Sequence, residues 1–134
     1  MAKTVQVSGL VRAKDRHRVQ KRWGREEWIA NTNKYCGKLL IVNKSRQGSL
    51  HYHRLKTETF YILSGKILLE LDGKTAVYYP GDSIDIEPGQ VHRYGGLKRS
   101  VVIEFSTEHS DEDTYRKELD RKMPEKLLQR YGNA

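Results

Sequence analysis

His51, His53, Glu58 and His92 are the residues of this chain whose types and spacing suit metal chemistry. Side chains two apart on a β-strand point to the same face, so His51 and His53 can converge on one point. Glu58 follows after the turn-like Arg54-Leu-Lys-Thr57, and His92 follows the turn signal Pro88-Gly89. Neutral imidazoles with one carboxylate form a ligand set for a divalent transition metal, with Zn, Mn, Fe, Ni and Co all admissible. Four protein ligands on an octahedral ion leave two positions for water or substrate. The chain has five histidines. The other two, His17 in a basic segment and His109 ahead of a helix-start signal, read as solvated, with His109 close enough to approach the site.

The elements that must position these residues are short strands. Between Glu27 and Ser106, β-like runs alternate with turn signals. The expected strands are Glu27–Ala30, Lys38–Asn43, Ser49–His53, Thr59–Leu63, Lys66–Leu71, Thr75–Tyr79, Ser83–Ile86, His92–Tyr94 and Val101–Phe105. Asp72-Gly73 is a two-residue hairpin signal, because both central positions favour positive φ. Ser64-Gly65, Pro80-Gly81-Asp82 and Gly95-Gly96 mark further turns. This spacing predicts an all-β sandwich or small barrel. Ser110-Asp-Glu-Asp113 resembles a capping box and predicts a helix running to Lys122, with a second short helix at Glu125–Arg130 after Pro124.

The chain of 134 residues is one domain by length, with 31% charged residues and net charge +8. The positive charge is concentrated near the start: Lys3, Arg12, Lys14, Arg16, Arg18, Lys21, Arg22 and Arg25 face the single acid Asp15. Residues 1–22 therefore read as a basic arm with one short strand at Thr4–Val11. No aromatic residue interleaves these charges before Trp23, so no base-stacking platform for nucleic acid is indicated. No apolar run approaches the ~20 residues of a membrane span, and the first residues lack the apolar stretch of a signal peptide. A single cysteine, Cys36, excludes an internal disulfide and a thiolate-based zinc finger, and fits a cytoplasmic protein.

The pattern resembles the cupin superfamily. His51, His53, Glu58 and Gly65 match the first cupin motif, with Gly48 nearer to His51 than is common. Gly81, Gly89 and His92 match the second, with Glu87 and Gly96 where proline and asparagine are usual. The resemblance implies a double-stranded β-helix, or jelly-roll, barrel over residues 23–109, holding a divalent metal. The basic arm 1–22 would precede it and a helical segment 110–134 would follow. A narrower resemblance, to the cupin domain of type II mannose-6-phosphate isomerases and to D-lyxose isomerase-like proteins, is carried by Trp23-Gly24-Arg25-Glu26, Ser49 to Arg54, Glu58, Ser64-Gly65, Ile103-Glu104 and Glu112 to Arg116. Cupins often pair through sheet edges, which implies a homodimer.

That narrower resemblance implies an aldose–ketose isomerase or epimerase acting on a sugar or sugar phosphate. The ion would polarise the carbonyl and stabilise an enediolate while a base moves the proton. Glu104, alone in the apolar run Val101 to Phe105, is the candidate base. Tyr94 shares the His92 face and is a candidate proton donor. Lys38 could meet a hydroxyl or phosphate, and Arg116 could hold a phosphate at the barrel mouth. Trp23 and Trp28 suit stacking against a sugar. Two other readings remain: a cupin dioxygenase with an apolar pocket, and a non-catalytic metal- or sugar-binding module whose barrel is plugged by Phe60 and Phe105.

Overall fold

Alternation with a period of two governs most of the chain, and the computed structural model, which describes residues 7–133, shows it as two antiparallel sheets. In chain order the strands are β1 His17–Lys21, β2 Gly24–Asn31, β3 Cys36–Val42, β4 Arg46–Gln47, β5 Leu50–His53, β6 Glu58–Ser64 and β7 Ile67–Leu71. They continue as β8 Lys74–Tyr78, β9 Ser83–Ile86, β10 His92–Gly96, β11 Ser100–Ser106, β12 Thr114–Glu118 and β13 Arg121–Lys122, before helix α1 at Glu125–Tyr131. The first sheet runs β1-β2-β3-β11-β6-β9. In the second, β10 pairs with β5 and β4 on one side and β7 on the other, with β12, β13 and β8 further out. This is a jelly-roll arrangement with a short C-terminal helix, as the resemblance in sequence implies.

The core lies between the sheets. Trp23, Leu40, Val42, Phe60, Ile62, Ile67, Leu69, Ile86, Tyr94 and Val102 form one buried cluster. It fills one end of the barrel and leaves the other end to polar side chains. On β7, Ile67 and Leu69 face this cluster, while Leu68 faces outward under Met123, Leu127 and Leu128 near α1. The apolar run Ile67-Leu68-Leu69 is thus buried on both faces.

The turn chemistry is visible in the backbone. Asp72 and Gly73 both have positive φ, 48° and 81°, and close the β7–β8 hairpin at Leu71 and Lys74. Gly65 has φ 90°, and a Cβ there would collide with Ser100. Only glycine fits that turn.

Two segments differ from the sequence expectation. Residues 110–122 are not a helix. Asp111–Asp113 form one 3-10 turn, and Ser110 makes no side-chain cap bond. The Asp113 carboxylate instead accepts the backbone N–H groups of Arg54, Leu55 and Lys56, and the following Thr114–Glu118 pairs with β5. Tertiary partners for the acid and a free sheet edge outweigh the local capping signal. At the other end, His17–Lys21 is the edge strand of the first sheet rather than part of a solvated arm, closed onto β2 by a turn at Arg22-Trp23. Of the strand expected at Thr4–Val11, residues 4–6 lie outside the described residues, and residues 7–11 form no strand. Among the described residues no helix is long and apolar enough to cross a membrane.

Candidate metal centre

Strand pairing brings the three histidines together. His92 on β10 stands directly across from His51 on β5, and His53 follows two residues on, on the same face. The Gly89 N–H bonds to the His53 carbonyl at 2.6 Å, which anchors the Pro88-Gly89 turn beside β5 just before His92. One ring nitrogen from each of His51, His53 and His92 lies within 4.8 Å of the others. Glu58, at the start of β6 in the opposite sheet, places Oε1 3.2 Å from His92 Nε2 and Oε2 3.4 Å from His53 Nε2.

The backbone decides which nitrogen each ring presents. His51 Nδ1 lies 2.9 Å from the Ser49 carbonyl, His53 Nδ1 3.1 Å from the Asp113 carbonyl, and His92 Nδ1 3.0 Å from the Gln90 carbonyl. A carbonyl only accepts, so each Nδ1 carries the proton and each neutral ring turns a bare Nε2 lone pair inward. Burial, with the neighbouring rings, pushes His51 down to about 3; burial, with the Lys56 charge and His92 outweighing Glu58, pushes His53 down to about 4. Burial works to raise the Glu58 carboxyl, but His92, Lys56 and His53 together hold it below its usual value. Lone pairs and an ionised carboxylate therefore face one another. His92 Nε2 is buried without a hydrogen bond, and Glu58 Oε2 makes none either but has the Lys56 ammonium 3.2 Å away. A buried polar atom left like His92 Nε2 costs about 1–3 kcal/mol, and a cation between it and Glu58 Oε1 would satisfy it. The donor set fits a divalent transition metal.

Above the cluster a polar pocket opens between the sheets. Glu104, Tyr94, Lys38 and Arg116 all line it, together with Lys56, His109 and Lys21. Glu104 is 4% exposed and faces inward, which puts its neighbour Phe105 outside at 56% exposure. Phe105 therefore does not plug the barrel; Phe60 does face inward, as part of the apolar end. Lys38 also faces inward, pairs with Glu26 at 3.3 Å and lies 4.2 Å over the Trp28 ring. With that face covered, and with His17 and His109 packed edgewise against it, Trp28 is no open stacking platform. Trp23 is buried against Tyr94, ring centroids 5.2 Å apart. Burial, reinforced by nearby carboxylates, raises the Tyr94 phenol well above its usual value, so it keeps its proton. Arg116 is not on a helix. It sits on β12 directly across from His51, which turns it to the inner face at the pocket mouth.

Lys56 lies in the segment whose residues predict a turn, yet it is 3% exposed and central to the pocket. Its Nζ donates to Glu104 Oε2 and to His109 Nδ1, each at 3.0 Å, and lies 3.2 Å from Glu58 Oε2. Burial opposes the charge, but Glu104 and Glu58 raise Lys56 above its ordinary value. His109 in turn contacts Asp111 at 2.8 Å. A line of polar contacts thus runs from the surface through His109 and Lys56 to both carboxylates. No local signal marks Lys56, since its burial depends on partners far along the chain.

Known proteins share this framework. The cupin domain model matches residues 38–103, from Lys38 to Ile103. The uncharacterised protein YdbB of Bacillus subtilis is 31% identical over 87 residues, which cover 64% of this chain and 74% of that protein. Quercetin 2,3-dioxygenase of the same species is 41% identical over 44 residues, 33% of this chain, and the match spans only 13% of that enzyme. Among solved structures, Pac13 of Streptomyces, a nucleoside dehydratase, superposes with a TM-score of 0.74 at 14% identity, over 90% of this chain and 97% of that one. At that identity the likeness is one of fold. The matched span contains every histidine and carboxylate of the cluster on the strands that pair them, and the chain belongs to the cupin superfamily.

Proposed function

We propose that the protein is a metal-dependent sugar or sugar-phosphate isomerase or epimerase, with His51, His53, Glu58 and His92 as the ligands of a divalent ion. The observation that carries this reading is the inward, buried Glu104 carboxylate in the polar pocket that His51, His53 and Glu58 also line. A bound divalent ion would supply Lewis acidity to a carbonyl oxygen. Glu104 takes the proton from the carbon beside that carbonyl and returns it to the neighbouring carbon. Its bonds to Lys56 and Ser106 both use Oε2, at 3.0 and 3.2 Å, which leaves Oε1 for the substrate. Tyr94 donates a hydrogen bond from the pocket floor. Lys38, oriented by Glu26, meets a substrate hydroxyl. Arg116 and Lys21, which form no ion pair among the described residues, draw a phosphate group to the mouth.

Deuterium exchange tests the reading. Metal-loaded protein should exchange the proton at C2 of one member of a panel of pentoses, hexoses and their phosphates in D2O, and Glu104→Gln should slow this by about 100-fold or more. No exchange with any member would overturn it.

Dioxygenase chemistry is the second reading, favoured by the short match to quercetin 2,3-dioxygenase. The charged lining of the pocket argues against an apolar substrate of that kind. Oxygen uptake by the iron-loaded protein would decide in its favour.

A further inference from the structure

We infer that Lys56 confines Glu58 to one-oxygen coordination and so keeps a second position on the metal open toward the pocket. This rests on the metal site proposed above and concerns how its carboxylate is used. Both Glu58 oxygens border the centre: Oε1 lies 3.2 Å from His92 Nε2, and Oε2 lies 3.4 Å from His53 Nε2. A carboxylate so placed can bind an ion through one oxygen or both, and nothing in the histidine geometry selects between them. The Lys56 ammonium does, because it stands 3.2 Å from Oε2 and on the opposite flank is fixed by Glu104 and His109. To bring Oε2 onto the ion, Glu58 would have to turn that oxygen away from the buried ammonium that balances its charge, in a site where Lys56 is 3% exposed.

An oxygen of Glu58 kept off a bound ion in this way would leave room for a substrate oxygen in the pocket that Glu104, the carboxylate assigned as base, also lines. Lys56 is a positioning residue here. It acts through Glu58 and need not touch the substrate. Removing its charge frees Oε2 to close the second position. With four protein ligands an octahedral ion holds about two waters, and a fifth donor atom leaves about one.

Water-proton relaxivity of the Mn2+-loaded protein counts those waters without relying on turnover. Lys56→Met should lower the relaxivity of the bound ion to about half the wild-type value, and Lys56→Arg should retain most of it. Because Lys56→Met leaves two buried carboxylates with one partner fewer, the double variant Lys56→Met/Glu104→Gln serves as a second test; it removes both charges of that pair and should show the same halving. Unchanged relaxivity in a folded, Mn2+-loaded variant would overturn the inference and leave the metal site standing. Failure of the wild-type protein to bind Mn2+, Zn2+ or Co2+ would overturn both.

Discussion

His92 stands directly across from His51 in the β5–β10 pairing, and their rings lie 4.4 Å apart. The β-ladder itself therefore sets the separation of two of the proposed ligands. His51→Ala, His53→Ala and His92→Ala should each lower zinc affinity by at least about 100-fold, beyond the loss typical of an outer partner. Competition with a chromophoric chelator measures this, and wild-type affinity in any of the three would remove that residue from the ligand set.

Keeping His51 and His53 neutral inside the fold has a cost that grows with acidity. Unfolded imidazoles titrate near 6.5, whereas these rings are held at about 3 and about 4. Below pH 6.5 the unfolded chain takes up protons that the metal-free folded chain does not, so stability falls with pH until each folded ring titrates. Chelator-treated protein should lose about 2–3 kcal/mol at each of the two rings between pH 7.5 and 4.5. Urea unfolding at the two pH values tests this, and equal midpoints would refute it.

Lys56 also carries a stability prediction. Its replacement by Met leaves Glu58 and Glu104 without their shared cation, at 2% and 4% exposure. The expected loss is about 3–5 kcal/mol, part of which Glu104→Gln should restore in the double variant. Denaturant unfolding of the single and double variants gives the comparison. Additive losses would show that the two side chains do not interact.

Asp113 holds the turn before Glu58 through the N–H groups of Arg54, Leu55 and Lys56. Asp113→Ala should cost about 1–3 kcal/mol. Because the turn sets the positions of Lys56 and Glu58, zinc affinity should drop by about tenfold as well. Thermal melts and chelator competition provide both numbers, and a stability loss with unchanged affinity would separate the turn from the site.

The barrel was legible because alternation and turn residues agree with it from Leu39 to Phe105. Period-two spacing put His51 and His53 on one face, and Asp72-Gly73 announced its hairpin with two left-handed residues. The side of the strand taken by Glu104 was not legible. An apolar run such as Val101-Val-Ile-Glu-Phe can present either set inward, and the inner face was decided by Lys56 on a distant loop. The segment after Ser110 misled for a related reason. Its carboxylates look like helix-start residues, but Asp113 is taken by backbone donors up to 59 residues earlier in the chain. Lys56 had no signature at all, because a buried lysine is defined by partners that sequence proximity does not reveal.

Two of the three ring protons are held by the residues just before the strand that carries the ring, through the carbonyls of Ser49 and Gln90, two positions upstream. Those carbonyls belong to the backbone close by in the chain, and at His51 the Ser49 hydroxyl adds a second contact to the same nitrogen at 3.0 Å. His53 is different. Its proton is held by the carbonyl of Asp113, sixty residues away and beyond the last strand of the first sheet. The segment that follows the barrel is therefore not an exchangeable appendage: a recombination or truncation ahead of Asp113 would keep all three histidines and still release one of them to point its lone pair the wrong way.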